Sequence, residues 1–115
     1  MSVTIYHNPK CSTSRKVLDA LRARGIEPKI VRYLETPPSR AKIVSLLKAM
    51  KAAPRDILRK KGDLYKELGL DDPKVSDAAL LDAMAEHPVL IERPIVEGPR
   101  GTVLCRPPEK VNDVI

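Results

Sequence analysis

The first 33 residues constrain the fold more tightly than any other stretch of the chain. Residues 2–6 (Ser-Val-Thr-Ile-Tyr) alternate and are rich in β-branched side chains, which predicts a strand. His7-Asn8-Pro9-Lys10 is turn chemistry. Cys11 follows, and Ser12, Thr13 and Ser14 all suit the first positions of a helix. Val17, Leu18 and Leu21 then form a helical stripe that Gly25 ends, with Arg22 and Arg24 favourably placed against the dipole of the last turn. Residues 29–33 (Lys-Ile-Val-Arg-Tyr) predict a second strand. A strand–helix–strand unit of this kind implies a parallel pair.

The remainder extends this unit. Pro37-Pro38-Ser39 starts another helix, whose expected stripe is Ile43, Val44, Leu47 and Met50, with Leu46 beside it. Residues 52–75 carry more charge and short apolar pieces (Ile57, Leu58, Leu64, Tyr65, Leu68, Leu70), which predicts short helices. Ser76 caps a further helix that buries Leu80, Leu81 and Met84 and stops before Pro88. Three short strands are expected at 89–91, 95–97 and 102–105, the last two joined by the turn Gly98-Pro99-Arg100-Gly101. Pro107 or Pro108 opens a terminal helix to about residue 113. The order β-α-β, helical insertion, β-β, α is that of a thioredoxin-like α/β fold with a mixed sheet. We therefore expect one domain over 1–115, with the helical insertion at about 39–86.

Composition narrows the function classes. A chain of 115 residues fits a single domain that can bury a core without metals or staples. No apolar run approaches the ~18 residues that span a bilayer. The N-terminus lacks the apolar block of a signal peptide, so a soluble, cytoplasmic protein is expected. Two cysteines, Cys11 and Cys105, are too few for a disulfide scaffold, and no Cys/His group has zinc spacing. The net charge of +6 points to anionic partners. With three Tyr and no Phe or Trp, the chain lacks a stacking platform for single-stranded nucleic acid, so small anions are the better match.

Cys11, at the junction of strand and helix, is the strongest chemical signal. The first N–H groups of a helix have no intrahelical partner and carry partial positive charge, so a thiolate is favoured there. The same groups cradle phosphate-like anions. A nucleophile inside an anion pocket suits attack on a tetrahedral oxyanion. Free cysteines are commonly buried and inert, but the polar neighbours of Cys11, from His7 to Arg15, argue for an accessible thiol. His7 has two readings: a group that keeps the thiol ionised, or a hydrogen-bonding residue that holds the loop. Arg59, Arg93 and Arg106 each border an apolar segment, from which a guanidinium can reach into a cleft and bind an oxyanion through paired donors, but composition does not choose these three from the other arginines, and a solvated surface charge fits each equally.

The nine residues from His7 to Arg15 (His-Asn-Pro-Lys-Cys-Ser-Thr-Ser-Arg) resemble the active-site loop of the glutaredoxin-coupled arsenate reductases. Further blocks resemble that family in the same order: Tyr33-Leu34-Glu35-Thr36-Pro37-Pro38, Leu58-Arg59-Lys60, residues 65–70, residues 87–96 (His-Pro-Val-Leu-Ile-Glu-Arg-Pro-Ile-Val) and Leu104-Cys105-Arg106-Pro107. The resemblance implies a thioredoxin-like fold and a single catalytic cysteine, Cys11, assisted by His7. It implies Arg59, Arg93 and Arg106 as oxyanion ligands, with Ser14 and Arg15 of the loop also binding substrate. It further suggests a cis peptide at Arg93-Pro94 that sets Arg93 beside the thiol. The implied reaction is reduction of arsenate to arsenite, with glutathione as co-substrate, glutaredoxin as partner, and no bound cofactor or metal. A monomer that binds neither nucleic acid nor membrane is expected.

Two other functions fit the same fold. Some relatives bind RNA polymerase and sense redox state through a Cys-x-x-Cys pair, but here the second position is Ser14. A general monothiol oxidoreductase acting on glutathione mixed disulfides would need Cys11 but not three arginines. Cys105 follows the apolar strand residues Val103 and Leu104 and reads as structural, and His87, before Pro88, reads as a helix-terminal residue.

Overall fold

The computed structural model describes residues 2–115. The chain divides into two compact units: the segment up to Thr36 together with Arg93–Ile115, and the inserted segment Pro37–Glu92.

The first unit holds the whole sheet. Strand β1 (Thr4–Tyr6) lies between β2 (Lys29–Val31), which runs parallel to it, and β3 (Ile95–Gly98), which runs antiparallel. The hairpin partner β4 (Gly101–Leu104) closes the order β2-β1-β3-β4. Helix α1 (Ser12–Ala23) crosses from β1 to β2. Ile5, Val96 and Val103 share a register row and one face of the sheet, and pack with Val17, Leu18 and Leu21 of α1 and with Cys105, Val111 and Val114. Full burial of each such aliphatic side chain is worth about 1.5–3 kcal/mol, so this layer is the main support of the unit. Mixed pairing, a β-α-β start and a β-hairpin finish make this a thioredoxin-like fold.

Helix α1 ends as its sequence requires. Gly25, at φ 75°, donates to Arg22 O, and Ile26 N–H donates to Leu21 O, closing the two capping bonds that a left-handed glycine permits. At the other end of the unit, Gly98 faces the chain terminus. A Cβ there would fall far inside van der Waals contact with the Val114 carbonyl, whose oxygen accepts from Arg100 N–H.

The second unit is helical. Ser39 caps α2 (Arg40–Met50) by accepting from Lys42 N–H at 3.1 Å, and Ser76 caps α4 (Asp77–Glu86) by accepting from Ala79 N–H at 3.2 Å. Between them lie a 3-10 turn at Pro54–Ile57 and the short α3 (Leu64–Glu67). Helix α2 buries Ile43, Leu46 and Leu47, while Val44 and Met50 of the expected stripe are only half-buried. Helix α4 buries Leu80 and Met84 and leaves Leu81 half-buried. Arg55 ties down the loop that follows α3, donating to the carbonyls of Leu70 (3.0 Å) and Asp72 (2.6 Å).

Three expectations need correction. Residues 89–91 do not form a strand. Pro88 fixes the backbone for a 3-10 turn over Pro88–Leu90, and only Ile91 makes a β-bridge, to Leu58. The second strand stops at Val31, because Arg32 opens a turn whose carbonyl accepts from Glu35 and Thr36 N–H. The terminal helix is a 3-10 helix at Pro108–Asp113 rather than an α-helix.

Gly98→Ala should destabilise the protein by about 1–3 kcal/mol, the usual cost of overpacking a site that cannot yield. A lower urea midpoint at unchanged m-value would register it.

Candidate active site

The sheet register gathers the candidate residues of the first unit. Tyr6 at the end of β1 pairs with Ile95 at the start of β3, and Ile95 pairs with Leu104 at the end of β4. The loop after Tyr6, the Arg93–Pro94 step before Ile95 and the Cys105–Arg106 step after Leu104 therefore emerge at one end of the sheet. Both X–Pro bonds there, Arg93–Pro94 and Arg106–Pro107, are cis.

The loop from His7 to Cys11 is held by its own polar groups. His7 N–H continues the parallel ladder by donating to Val31 O at 2.8 Å. Asn8 Oδ1 accepts from Lys10 N–H at 3.0 Å, the side-chain turn that Asn favours, and Asn8 O accepts from Cys11 N–H at 3.0 Å. Arg15 reaches back from α1 and donates to Pro9 O at 2.9 Å. Ser14 is fully buried, accepts from Asn8 N–H and lies 2.6 Å from His7 Nδ1.

Cys11 occupies the N-cap of α1, in extended conformation. It is only 9% exposed, so its polar sequence neighbours do not keep it at the surface. Burial alone would raise its pKa, yet the thiol is held below its ordinary range. The Ser14 N–H, the hydrogen bond and charge of the Arg93 guanidinium, and the Thr13 N–H together outweigh burial. Thr13 and Ser14 are the N2 and N3 positions of the helix, whose amides normally point at a capping oxygen. Here they favour a sulfur anion.

Arg93 is thus the guanidinium beside the sulfur. Arg106 stands behind it and donates from Nη1 to the Arg93 carbonyl at 2.8 Å. Arg59 belongs to the second unit. There its N–H donates to Leu90 O at 2.7 Å and Glu92 N–H donates to Ile57 O at 2.8 Å, a short antiparallel pairing around the Leu58–Ile91 bridge. That pairing sets Arg59 Nη1 3.2 Å from Glu92 Oε1, with both side chains about one-fifth exposed.

His7 is 5% exposed, and its pKa lies below the ordinary histidine value. Burial is the main cause, followed by the positive charges of Arg32, Arg22 and Arg15. At neutral pH the ring is uncharged and its Nδ1 is engaged by Ser14, the geometry of a loop-holding residue. Thr13 and Asn8 were not singled out by residue type. The helix numbering that starts at Cys11 would have indicated Thr13, and the Asn-Pro turn would have indicated Asn8. Cys105 is fully buried, and burial pushes its thiol up to about 12, as befits a structural residue. Among the described residues no group of three His, Cys, Asp or Glu is placed to hold a metal ion, and no helix is long and apolar enough to cross a membrane.

Comparison with known proteins bears directly on this constellation. Residues 6–114 match the model of the ArsC family. The chain belongs to the ArsC family. It is 54% identical to an arsenate reductase of Rhizobium meliloti over all of this chain and 82% of that protein. It is 51% identical to an arsenate reductase of Escherichia coli over 99% of this chain and 81% of the relative. Its fold superposes on the structure of an arsenate reductase from Vibrio cholerae with a TM-score of 0.95 and 49% identity, covering 100% of this chain and 98% of that one. The family match spans the loop, the helix start and all three arginines.

Two outcomes follow from these electrostatics. Alkylation of Cys11 by iodoacetamide should reach half its maximal rate at a pH below the ~8.5 of a free thiol, and Arg93→Ala should move that midpoint upward. A midpoint unmoved by Arg93→Ala would separate the guanidinium from the sulfur. Because His7 is buried neutral, the unfolded chain takes up its proton first as pH falls through ~6.5. Stability present above that pH should therefore be lost below it, as a falling urea midpoint between pH 7 and 5.5. The fall should be smaller in His7→Asn.

Proposed function

We propose that this protein reduces arsenate to arsenite, with Cys11 as the nucleophile. The observation that carries the reading is a largely buried thiol whose anionic form is favoured by two helix amides and a guanidinium, in a chain about half identical to arsenate reductases.

Arsenate is a tetrahedral oxyanion that must approach an anionic sulfur. Arg93 supplies the charge that lets the two meet, through donors aimed at the arsenate oxygens. Arg106, anchored on the Arg93 carbonyl, lends a second cation, and the family resemblance implies Arg59 as a third ligand. Arg15 and the amides of Thr13 and Ser14 complete the cradle at the helix start. The Cys11 thiolate attacks arsenic, a sulfur–arsenic bond forms, and a protonated oxygen leaves as water. The thiolate of glutathione then adds to arsenic as a second hydroxyl leaves. Glutaredoxin's thiolate attacks the glutathione sulfur, the sulfur–arsenic bond breaks, and its electron pair remains on arsenic. Arsenic falls from As(V) to As(III), and two thiols become one mixed disulfide. Water finally displaces Cys11 and arsenite leaves.

An external thiol is needed because the chain offers no second sulfur beside the first. The position three residues on is Ser14, and Cys105 is buried with its thiol held protonated. The reducing thiols imply the cytoplasm, where glutathione keeps cysteines reduced. The protein acts as a monomer and carries no bound cofactor.

Cys11→Ser should lower arsenate reduction by on the order of 10³-fold or more, since the acting nucleophile is lost, while the circular dichroism spectrum is unchanged. Arg93→Ala should raise the arsenate KM by about 10–100-fold, the equivalent of one charge-assisted bond of ~1.5–3 kcal/mol. Steady-state assays with glutathione, glutaredoxin and NADPH would measure both. Full activity of Cys11→Ser would overturn the reading.

A further inference from the structure

A groove of about 330 Å³ runs along the outer side of the first unit, lined by Lys16 and Ala20 on one bank and by Pro108, Glu109, Val111 and Asn112 on the other. The first is helix α1, whose N-cap is Cys11. The second follows Arg106, which holds the Arg93 carbonyl. Lys16 and Ala20 are one helical turn apart, and Ser12 continues their row to the start of the helix. Lys16 lies five residues beyond Cys11, about 7.5 Å along the axis, and a helical lysine leans back towards the N-terminus.

The charges of the groove are of opposite sign. Lys16 and Glu109 are exposed and stand on facing banks. Val111 is buried beneath them, and the Asn112 amide at the far end is oriented by Arg24, which donates to its oxygen at 2.7 Å. An ammonium facing a carboxylate over an apolar floor complements a zwitterionic amino-acid head, one carboxylate and one ammonium on the same carbon. An inorganic oxyanion has nothing for Glu109 to bind, and a polyanion would be repelled by it.

We infer that this groove is the subsite for the γ-glutamyl head of the peptide thiol that attacks arsenic on Cys11. The inference rests on the thiol-dependent reading above. The γ-glutamyl arm of glutathione spans about two extended residues, ~7 Å, which matches the separation of Cys11 from Lys16 along α1. With its head between Lys16 and Glu109, the central sulfur reaches Cys11 and the step is the one already written: a sulfur–arsenic bond forms as a hydroxyl leaves. Lys16 and Glu109 touch the co-substrate, not the arsenate, so they govern its KM alone.

Two measurements test this. S-methylglutathione cannot react, so titrating it into arsenate-free Cys11→Ser protein reads binding apart from activity. The amide NMR shifts should move at Lys16, Ala20, Glu109 and Asn112. In arsenate reduction, Lys16→Glu should raise the glutathione KM about tenfold, the loss of one charge-assisted contact plus repulsion. It should leave the arsenate KM and the rate with cysteinylglycine, which lacks the γ-glutamyl group, unchanged. Shifts confined to other residues, or an unmoved glutathione KM in Lys16→Glu, would overturn the subsite. Failure of the wild-type protein to reduce arsenate with any thiol would instead refute the proposed function, and the titration would still decide the groove.

Discussion

The interaction on which the site depends is the one between the Cys11 sulfur and the positive end of helix α1. Burial and ionisation normally oppose each other: a thiol withdrawn from water becomes harder to deprotonate. In this protein the withdrawal is outweighed by groups that cost nothing further to orient, namely the Ser14 and Thr13 amides and the Arg93 guanidinium. The result combines two properties that seldom coexist. The sulfur is largely withdrawn from solvent, yet its anionic form is favoured. Cys105 shows the alternative outcome in the same chain. It is shut in more completely, without those amides or that guanidinium, and burial drives its thiol the other way.

Comparison of the three longer helices shows what this arrangement displaces. Helices α2 and α4 begin with Ser39 and Ser76, whose hydroxyls accept from the third residue on, the ordinary way to satisfy a helix start. Helix α1 has serines available at 12 and 14, yet the cap position belongs to Cys11. Ser14 is turned inward, where it accepts from Asn8 N–H and meets His7. The loop therefore derives its rigidity from Asn8, His7 and Ser14, and the cap is given to chemistry. A sulfur is a weaker acceptor than a hydroxyl oxygen, so the helix gives up capping energy of up to about 1 kcal/mol. The aliphatic layer of Val17, Leu18 and Leu21 against Ile5 and Val96 offsets that loss several times over.

Much of this was legible in the sequence where the signal is local. The β-α-β start, the Ser39 and Ser76 caps, the Gly25 stop and the 98–101 hairpin turn each depend on residues within a few positions of one another, and each formed as expected. Segment 89–91 misled because three apolar residues in a row read equally as strand or buried turn, and Pro88 decided for the turn. The burial of Cys11 was illegible for a different reason. Polar neighbours in sequence do not fix exposure in space: the fold leaves Cys11 only 9% exposed. Spacing alone could not choose Arg93 among many arginines, because it is 82 positions from Cys11, and only the family resemblance singled it out. The antiparallel register of Tyr6 with Ile95 is what converts that separation into contact.

That register also explains why the thiol loop, Arg93 and Arg106 come to one end of the sheet. A sheet whose central strand ends beside the start of β3 and the end of β4 delivers three chain segments to one edge. The first becomes the thiol loop, the second carries Arg93, and the third carries Arg106 and then turns through Pro107 into the 3-10 helix. The last of these must lie along α1, because Val111 and Val114 complete the same core layer that α1 covers. A groove between them is a consequence of closing the core. Under the proposed reaction and subsite, an oxyanion and a thiol that meet at one atom would have separate approaches, the oxyanion over the arginines and the thiol along the helix. Separation of this kind lets each be bound by its own charges without the cations for one attracting the other into the wrong place.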